Sequence, residues 1–505
     1  MNKVVLTKTH RQLLFAPILF AVCGWIVLMT SGCMVGPDYH LPHPDAPSGW
    51  AGVTEAPEQP SIATAQPAEL IGWWKQFDDP MLTQLVEDAL KTNLDLQLAV
   101  ASLRQARAAR GIAVAALLPS IAASAEYQRE TTLLSRAATV PAQNLYQAGF
   151  DAAWEIDLFG GQRRNVESAD ANVQASIEGV SGAQVSLAAE VALNYAQLRG
   201  YQQQIVIAQK NLKAMQDTAL ITRQKANAGF DCALDIANAD ANVATTEAQI
   251  PVFETSAKQS IYALSVLLGR PPADLLEQLT PTGNIPGVPP LIPAGLPSDL
   301  MRRRPDIRQV EAQLHSATAQ IGVATADLFP KFSLTGTLTW QTNLLNTWWV
   351  AASRTYSFGP SVTWPIFQGG AIVSNIRVQE ALRDQAFITY RKTVLTAFQD
   401  VENALIAFSK EQEHYKSLKD SVAANSIAAD LSLKLYTEGL LDFLNVLVAQ
   451  RSLYAAENAL VLSNCSITTD LIALYKALGG GWETLPADGQ PLPPAAADAA
   501  TAITR

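Results

Sequence analysis

FSLTGTLTWQ, residues 332–341, sets Phe332, Leu334, Gly336, Leu338 and Trp340 in alternation with Ser333, Thr335, Thr337, Thr339 and Gln341. Successive side chains of a β-strand point to opposite faces, so this stretch has one apolar and one polar side. FDAAWEIDL, residues 150–158, repeats the pattern: Phe150, Ala152, Trp154, Ile156 and Leu158 alternate with Asp151, Ala153, Glu155 and Asp157. In YSFGPSVTWPI, residues 356–366, Tyr356, Phe358, Val362, Trp364 and Ile366 alternate with small or polar residues, and 121–128 do so weakly. Strands of roughly ten residues with aromatic ends suit a tilted crossing of a bilayer. A half-buried hairpin of a soluble domain shows the same alternation, and the pattern alone leaves both open. Four strands cannot close a barrel in lipid: known barrels begin at about eight, and an open edge leaves backbone groups unpaired. Other copies of the chain must complete it, and a useful lumen favours three copies over two.

The strands sit inside a repeat. NLDLQLAVASLRQARAARGIAVAALLP (93–119) aligns with RPDIRQVEAQLHSATAQIGVATADLFP (304–330); Asp95, Leu103, Gly111, Leu117 and Pro119 return as Asp306, Leu314, Gly322, Leu328 and Pro330. Further on, Gly149, Trp154, Gly229 and Leu234 match Gly359, Trp364, Gly439 and Leu444. Each unit reads helix, strand, strand, long helix, turn, helix. Long helices are expected over about 162–227 and 372–437, and shorter ones over about 83–116, 236–268, 297–327 and 443–475. At 1.5 Å per residue the long helices reach ~100 Å, a length of rods and tubes rather than of ordinary globular domains. The helices alone do not exclude a solid rod; the strands do.

Residues 1–11 carry Lys3, Lys8 and Arg11 and no acid, and 12–29 are almost wholly apolar, ending in Thr30, Ser31 and Gly32 before Cys33. This is the layout of an export signal over 1–32, although ~18 apolar residues also approach the length of a retained anchor helix. Subtracting the three leader cations from 36 leaves 33 basic against 46 acidic residues, a net charge of −13. That acidity, with no basic patch standing out, makes nucleic acid a poor partner, and none is expected. Cys232 and Cys465 are too few for a disulfide framework and too far apart along the helices to pair in one chain. His10, His40, His43, His315 and His414 show no metal spacing, HLPH (40–43) reads as linker, and no nucleophile elbow or phosphate loop is present. Nothing points to an enzyme or a bound cofactor.

Function should concentrate at the turns NAGFDCALDIANAD (227–240) and YTEGLLDFLNVLVAQ (436–450). Gly229 and Gly439 are natural ends for the long helices. Asp231, Asp235 and Asp442 either form rings of carboxylates around a trimer axis or cap the helices that follow, and the two roles are compatible. Leu440, Leu441 and Phe443 are expected to form an apolar constriction.

In combination, CMVGPDY (33–39), WWKQFDDPML (73–82), LLGRPP (267–272), RRPDIRQVE (303–311), LFPKFSLTG (328–336), WPIFQGG (364–370) and YKALGGGW (475–482) resemble the outer-membrane factor family. These are the TolC-like exit ducts of tripartite efflux pumps, here of the NodT/OprM-type lipoprotein branch serving resistance-nodulation-division transporters. The resemblance implies a mixed α and β fold. A trimeric transmembrane β-barrel, four strands per chain, continues into a long periplasmic α-helical barrel. It divides the chain into a signal (1–32), an N-terminal anchor and equatorial segment (33–82), a first repeat (83–268), an equatorial linker (269–296), a second repeat (297–475) and a C-terminal segment with a low-complexity tail (476–505). The stretch around Cys33 resembles a lipobox, with Thr30 in place of the usual Leu, so a covalent lipid on Cys33 is implied. So are a homotrimer, a periplasmic adaptor protein and an inner-membrane transporter as partners, with outer-membrane lipid around the barrel. Tyr436 and Asp235 match gate positions that hydrogen-bond between neighbouring hairpins. Asn445 and Val448 stand where many relatives carry aspartate, and Leu441 where TolC carries arginine, so the ionic part of the gate looks reduced. The competing reading is a structural envelope lipoprotein, a rod or adhesin without conductance or strands.

Overall fold

The computed structural model describes residues 34–42, 47, 49–51, 62–64, 70–130, 133–135, 138–139, 142–293, 295 and 297–483; the expected leader, Cys33, His43 and the tail 484–505 lie outside them. The helices are α1 (Pro80–Thr92), α2 (Leu94–Ala115), α3 (Gly161–Asn227), α4 (Ala233–Glu247), α5 (Ile250–Leu267), α6 (Leu276–Leu279), α7 (Pro297–Arg303), α8 (Pro305–Ala326), α9 (Ala371–Thr437) and α10 (Phe443–Ala477). The strands are β1 (Ile62–Thr64), β2 (Ser120–Glu130), β3 (Leu133–Ser135), β4 (Ala138–Thr139), β5 (Gln143–Ile156), β6 (Leu291–Pro293), β7 (Lys331–Thr342) and β8 (Arg354–Thr363).

The long helices α3 and α9 each hold 67 residues, as their unbroken periodicity predicts. Three of the shorter helices are divided where one was expected, each for a local reason. Asn93 leaves helical geometry between α1 and α2; its side chain accepts from Leu96 N at 2.9 Å and donates to Leu267 O at 2.8 Å. Pro251, in the first turn of α5, has no N–H to continue the ladder from α4. Arg304 precedes Pro305, and a residue before proline is kept out of helical geometry, which separates α7 from α8. No described helix is long and apolar enough to cross a membrane.

The chain forms two compact units. The first contains residues 104–175 and 310–390 and is organised by an antiparallel sheet in the order β2-β5-β7-β8. Phe150 stands opposite Ala123 on one side and Leu338 on the other, and Leu338 in turn opposite Tyr356. Directly opposed residues share a face. The register therefore gathers Ile121, Phe150, Trp154, Leu334, Phe358 and Val362 on one side, and Ser124, Asp151, Thr335, Thr337 and Ser357 on the other. The apolar side is open, with Phe358 at 82% exposure. β2 and β8 have no further strand beside them among the described residues. At the helical end, Trp154 Nε1 donates to Leu117 O at 2.9 Å, and Trp364 Nε1 donates to the corresponding Leu328 O at 3.0 Å.

Residues 34–39 are clamped onto this unit. Val35 N donates to Phe159 O at 3.1 Å, Arg164 reaches Val35 O at 3.2 Å and Asp38 at 2.6 Å, and the Tyr39 ring stacks on His315 at 4.3 Å. Gly36 (φ 91°) lies so close to Gly322 that an added Cβ would stand 2.4 Å from the Gly322 Cα.

The second unit contains residues 43–103, 176–309 and 391–505. Its aromatic core stacks Trp73 on Tyr475 at 5.1 Å, with Trp74, Phe77, Leu82 and Leu85 buried around them. Asp79 caps α1, accepting from Met81 N and Leu82 N at 2.9 and 3.0 Å ahead of Pro80, a pairing worth about 1 kcal/mol. The linker docks on α3 through Gln202, which donates to Leu279 O at 2.8 Å, and Arg199, which donates to Pro281 O at 2.9 Å. Arg304, at the α7/α8 break, binds Asp306, Asp400 and Ala477 O. Cys465 packs against Gly200, and burial raises its thiol pKa to about 11.

Candidate functional site

α3 and α9 end alike. Gly229 (φ 85°) and Gly439 (φ 80°) adopt the left-handed geometry that glycine tolerates best. Phe230 N donates back to Lys225 O and Leu440 N to Leu435 O, both at 2.9 Å, closing the two helix ends with Schellman motifs. The two turns enclose a cleft of about 840 Å³ in the second unit.

Tyr436, in the last turn of α9, is 1% exposed. Its ring packs with Ala219, Ala239, Val446 and Leu447, and lies 5.8 Å from the ring of Phe443. Its hydroxyl donates to Asp231 Oδ2 and stands 3.1 Å from Thr222 Oγ1. Burial, reinforced by the Asp231 carboxylate, raises the phenol pKa well above its ordinary value, so the hydroxyl keeps its proton and remains a donor. Lys225 donates to Tyr436 O and holds its ammonium 4.0 Å from the centre of the ring, a cation–π contact. The α3 turn thus supplies a carboxylate and an ammonium, and α9 supplies the tyrosine between them. Two further pairs join the same hairpins: Gln450 Nε2 donates to Thr218 Oγ1 at 2.6 Å, and Arg451 Nε to Asn242 Oδ1 at 3.0 Å.

The predicted tip residues separate into groups. Asp231 meets Tyr436. Asp235 does not; its Oδ2 accepts from Cys232 N at 3.2 Å and Cys232 Sγ at 3.1 Å, a capping-box contact at the start of α4. Asp442 occupies the N-cap of α10 without a side-chain cap bond. Leu440 is 70% exposed, Leu441 half-buried, and Asn445 exposed with its backbone N–H on Asp442 O at 3.1 Å. Phe443, expected in an apolar constriction with Leu440 and Leu441, instead turns inward: its ring is buried beside Tyr436 because it is the first residue of α10 on the face that packs against α3 and α4. The exposed aromatic at the tip is Phe230, at 80%. Lys225 and Thr222 are the neighbours of Tyr436 that sequence reading missed. A lysine in the last turn of α3 was the available signal, since cations favour helix C-termini.

The model of the outer membrane efflux protein family matches residues 85–270 and 296–480. Nodulation protein T of Rhizobium leguminosarum bv. viciae is 33% identical over 460 residues, covering 90% of this chain and 92% of its own length. The toluene efflux pump outer membrane protein TtgC of Pseudomonas putida is 32% identical over 459 residues, 89% of this chain and 93% of TtgC. Among solved structures, the outer-membrane channel OprN superposes with a TM-score of 0.83 at 37% identity, over 89% of this chain and all of that one. This chain belongs to the outer membrane efflux protein family.

Proposed function

We propose that three copies of this chain form the outer-membrane exit duct of a tripartite efflux pump, conducting small molecules passively to the exterior. The observation that carries this reading is the β2-β5-β7-β8 sheet: one exposed apolar face, one polar face, and two edges without a further strand among the described residues. Such edges are untenable in lipid unless neighbouring copies pair with them, and three copies give a twelve-strand barrel with the polar face inward. The long helices then form the periplasmic tube, and the N-terminal segment, the 269–296 linker and the C-terminal stretch its belt. A periplasmic adaptor and an inner-membrane resistance-nodulation-division transporter supply cargo and energy. A lipid on Cys33 adds an auxiliary anchor beside the clamp of residues 34–39. The hairpin latch of Tyr436, Asp231 and Lys225 holds the periplasmic end closed. The lumen row of Ser, Thr and Asp is an unselective lining, which leaves choice of cargo to the transporter.

The strand-free rod or adhesin has no place for this sheet. Native mass of the detergent-extracted protein and conductance in planar bilayers test the proposal together. A trimer that opens discrete channels is expected; a monomer, or a trimer that conducts nothing under any voltage, overturns it.

A further inference from the structure

The loop between β7 and β8, residues 343–353, reads NLLNTWWVAAS and contains no charged side chain. It folds back on its own strand: Trp348 Nε1 donates to Trp340 O at 3.3 Å and Ser353 Oγ donates to Thr347 O at 2.7 Å. The side it chooses is informative. The Trp348 ring lies 5.6 Å from Tyr146, the Trp349 ring 5.7 Å from Trp340, and the two tryptophans stack at 5.4 Å. Tyr146 is paired with Tyr127, and Trp340 with Ala148, so both belong to the apolar face of the sheet. The loop therefore leans over the apolar face and away from the polar one. Leu344, Leu345, Trp349 and Val350 stay exposed on it. Near the same end, Arg129 pairs with Asn144 and Arg354 with Trp340, which puts both arginines on the apolar face as well.

We propose that this loop is a lipid-binding element, a Trp–Leu wedge seated at the boundary between headgroups and acyl chains of the outer leaflet, with Arg129 and Arg354 facing lipid phosphates. The partner is a lipid surface because the aromatic cluster is continuous with the membrane-facing side of the sheet. Tryptophan prefers that interface, and leucine and arginine fit its two sides. The loop is then unavailable as a plug. The proposal rests on the transmembrane reading of the sheet.

The test places a single nitroxide at Leu345→Cys, Phe358→Cys or Leu440→Cys in the full chain with Cys232→Ala and Cys465→Ala, in phosphatidylethanolamine–phosphatidylglycerol vesicles. Collision with oxygen, which concentrates in lipid, is compared with collision with a water-soluble nickel chelate. The expected oxygen-to-nickel ratio at position 345 is several-fold above that at 440, the aqueous tip, and below that at 358. A ratio at 345 equal to that at 440, with 358 still in lipid, overturns the wedge and leaves the barrel standing. A water-exposed 358 overturns the transmembrane sheet and the wedge with it.

Discussion

Tyr436→Phe removes one oxygen from the proposed latch and little else. The ring keeps its place among Ala219, Val446 and Leu447, so no cavity opens. What is lost is a hydrogen bond from the phenol to the Asp231 carboxylate, and bonds to a charged group contribute about 1.5–3 kcal/mol. Asp231 is half-buried and rehydrates, so the lower part of that range applies. At about 2 kcal/mol the closed-to-open ratio of each hairpin pair falls by roughly 30-fold, since each 1.4 kcal/mol is a factor of ten. Single-channel recording in planar bilayers reads this as longer or larger openings. Asp231→Asn, which removes the charge from the same bond, is expected to act in the same direction. Asp235→Ala is expected to leave conductance near wild type, because its carboxylate caps Cys232 N and does not touch Tyr436. If Tyr436→Phe and Asp231→Asn conduct like wild type while Asp235→Ala opens the channel, the latch has been assigned to the wrong carboxylate.

Gly36→Ala should loosen the 34–39 clamp, because the left-handed backbone and the approach to Gly322 leave no room for a methyl group; faster protease cleavage after residue 33, with the sheet intact by circular dichroism, is the readout. Cys33→Ala, exported through a cleavable signal, should still yield trimers in the membrane fraction, since in the proposed barrel the sheet carries the membrane contact; loss of those trimers would show that the lipid is essential. Burial, together with the nearby Glu411, raises Asp470 to about 6, so the folded chain holds that proton more tightly than the unfolded one. The stabilising contribution is complete below the ordinary carboxyl value of 3.8 and is lost as pH rises through about 6, so Asp470→Asn should raise the Tm at pH 8 and have little effect at pH 4.

The sheet was legible because alternation is a local property. Phe332 to Trp340 point one way whatever surrounds them, and the observed register only adds their neighbours. The start of β5, from Gln143 to Ala148, was not legible as strand, because Gln143 and Asn144 are drawn in by pairing with Glu130 and Arg129 on β2. Pro251 and Pro305 announce their helix breaks in sequence, whereas Asn93 breaks the α1/α2 run through a bond to Leu267, 174 residues away, that no window of sequence contains. At the tips, Gly229 and Gly439 were readable as helix ends for the same local reason. The partner of Tyr436 was not, since Asp231 and Asp235 lie one helical turn apart and only the packed direction of each carboxylate separates latch from cap. Phe443 shows the converse limit: its apolarity was visible, the inward direction of its ring was not.

The two turns differ in sequence while sharing a backbone. Gly229 and Gly439 close equivalent helix ends, yet the position corresponding to Tyr436 in the first half is Ala226, and the position corresponding to Asp231 in the second half is Leu441. The Tyr436–Asp231 bond joins non-equivalent positions of the two turns, so two identical hairpins would form it twice; Ala226 and Leu441 remove the reciprocal pair and leave one. Divergence gives one turn the acceptor and the ammonium and the other the donor, so the halves of one chain recognise each other across 205 residues. The same divergence keeps the bond breakable. The hydroxyl–carboxylate contact at the centre of the latch, beside a half-buried acid, is weaker than a fully buried ion pair, which would cost several kcal/mol more to part. In the proposed duct, a closure built this way is one that Tyr436→Phe or Asp231→Asn would loosen without unfolding the hairpins.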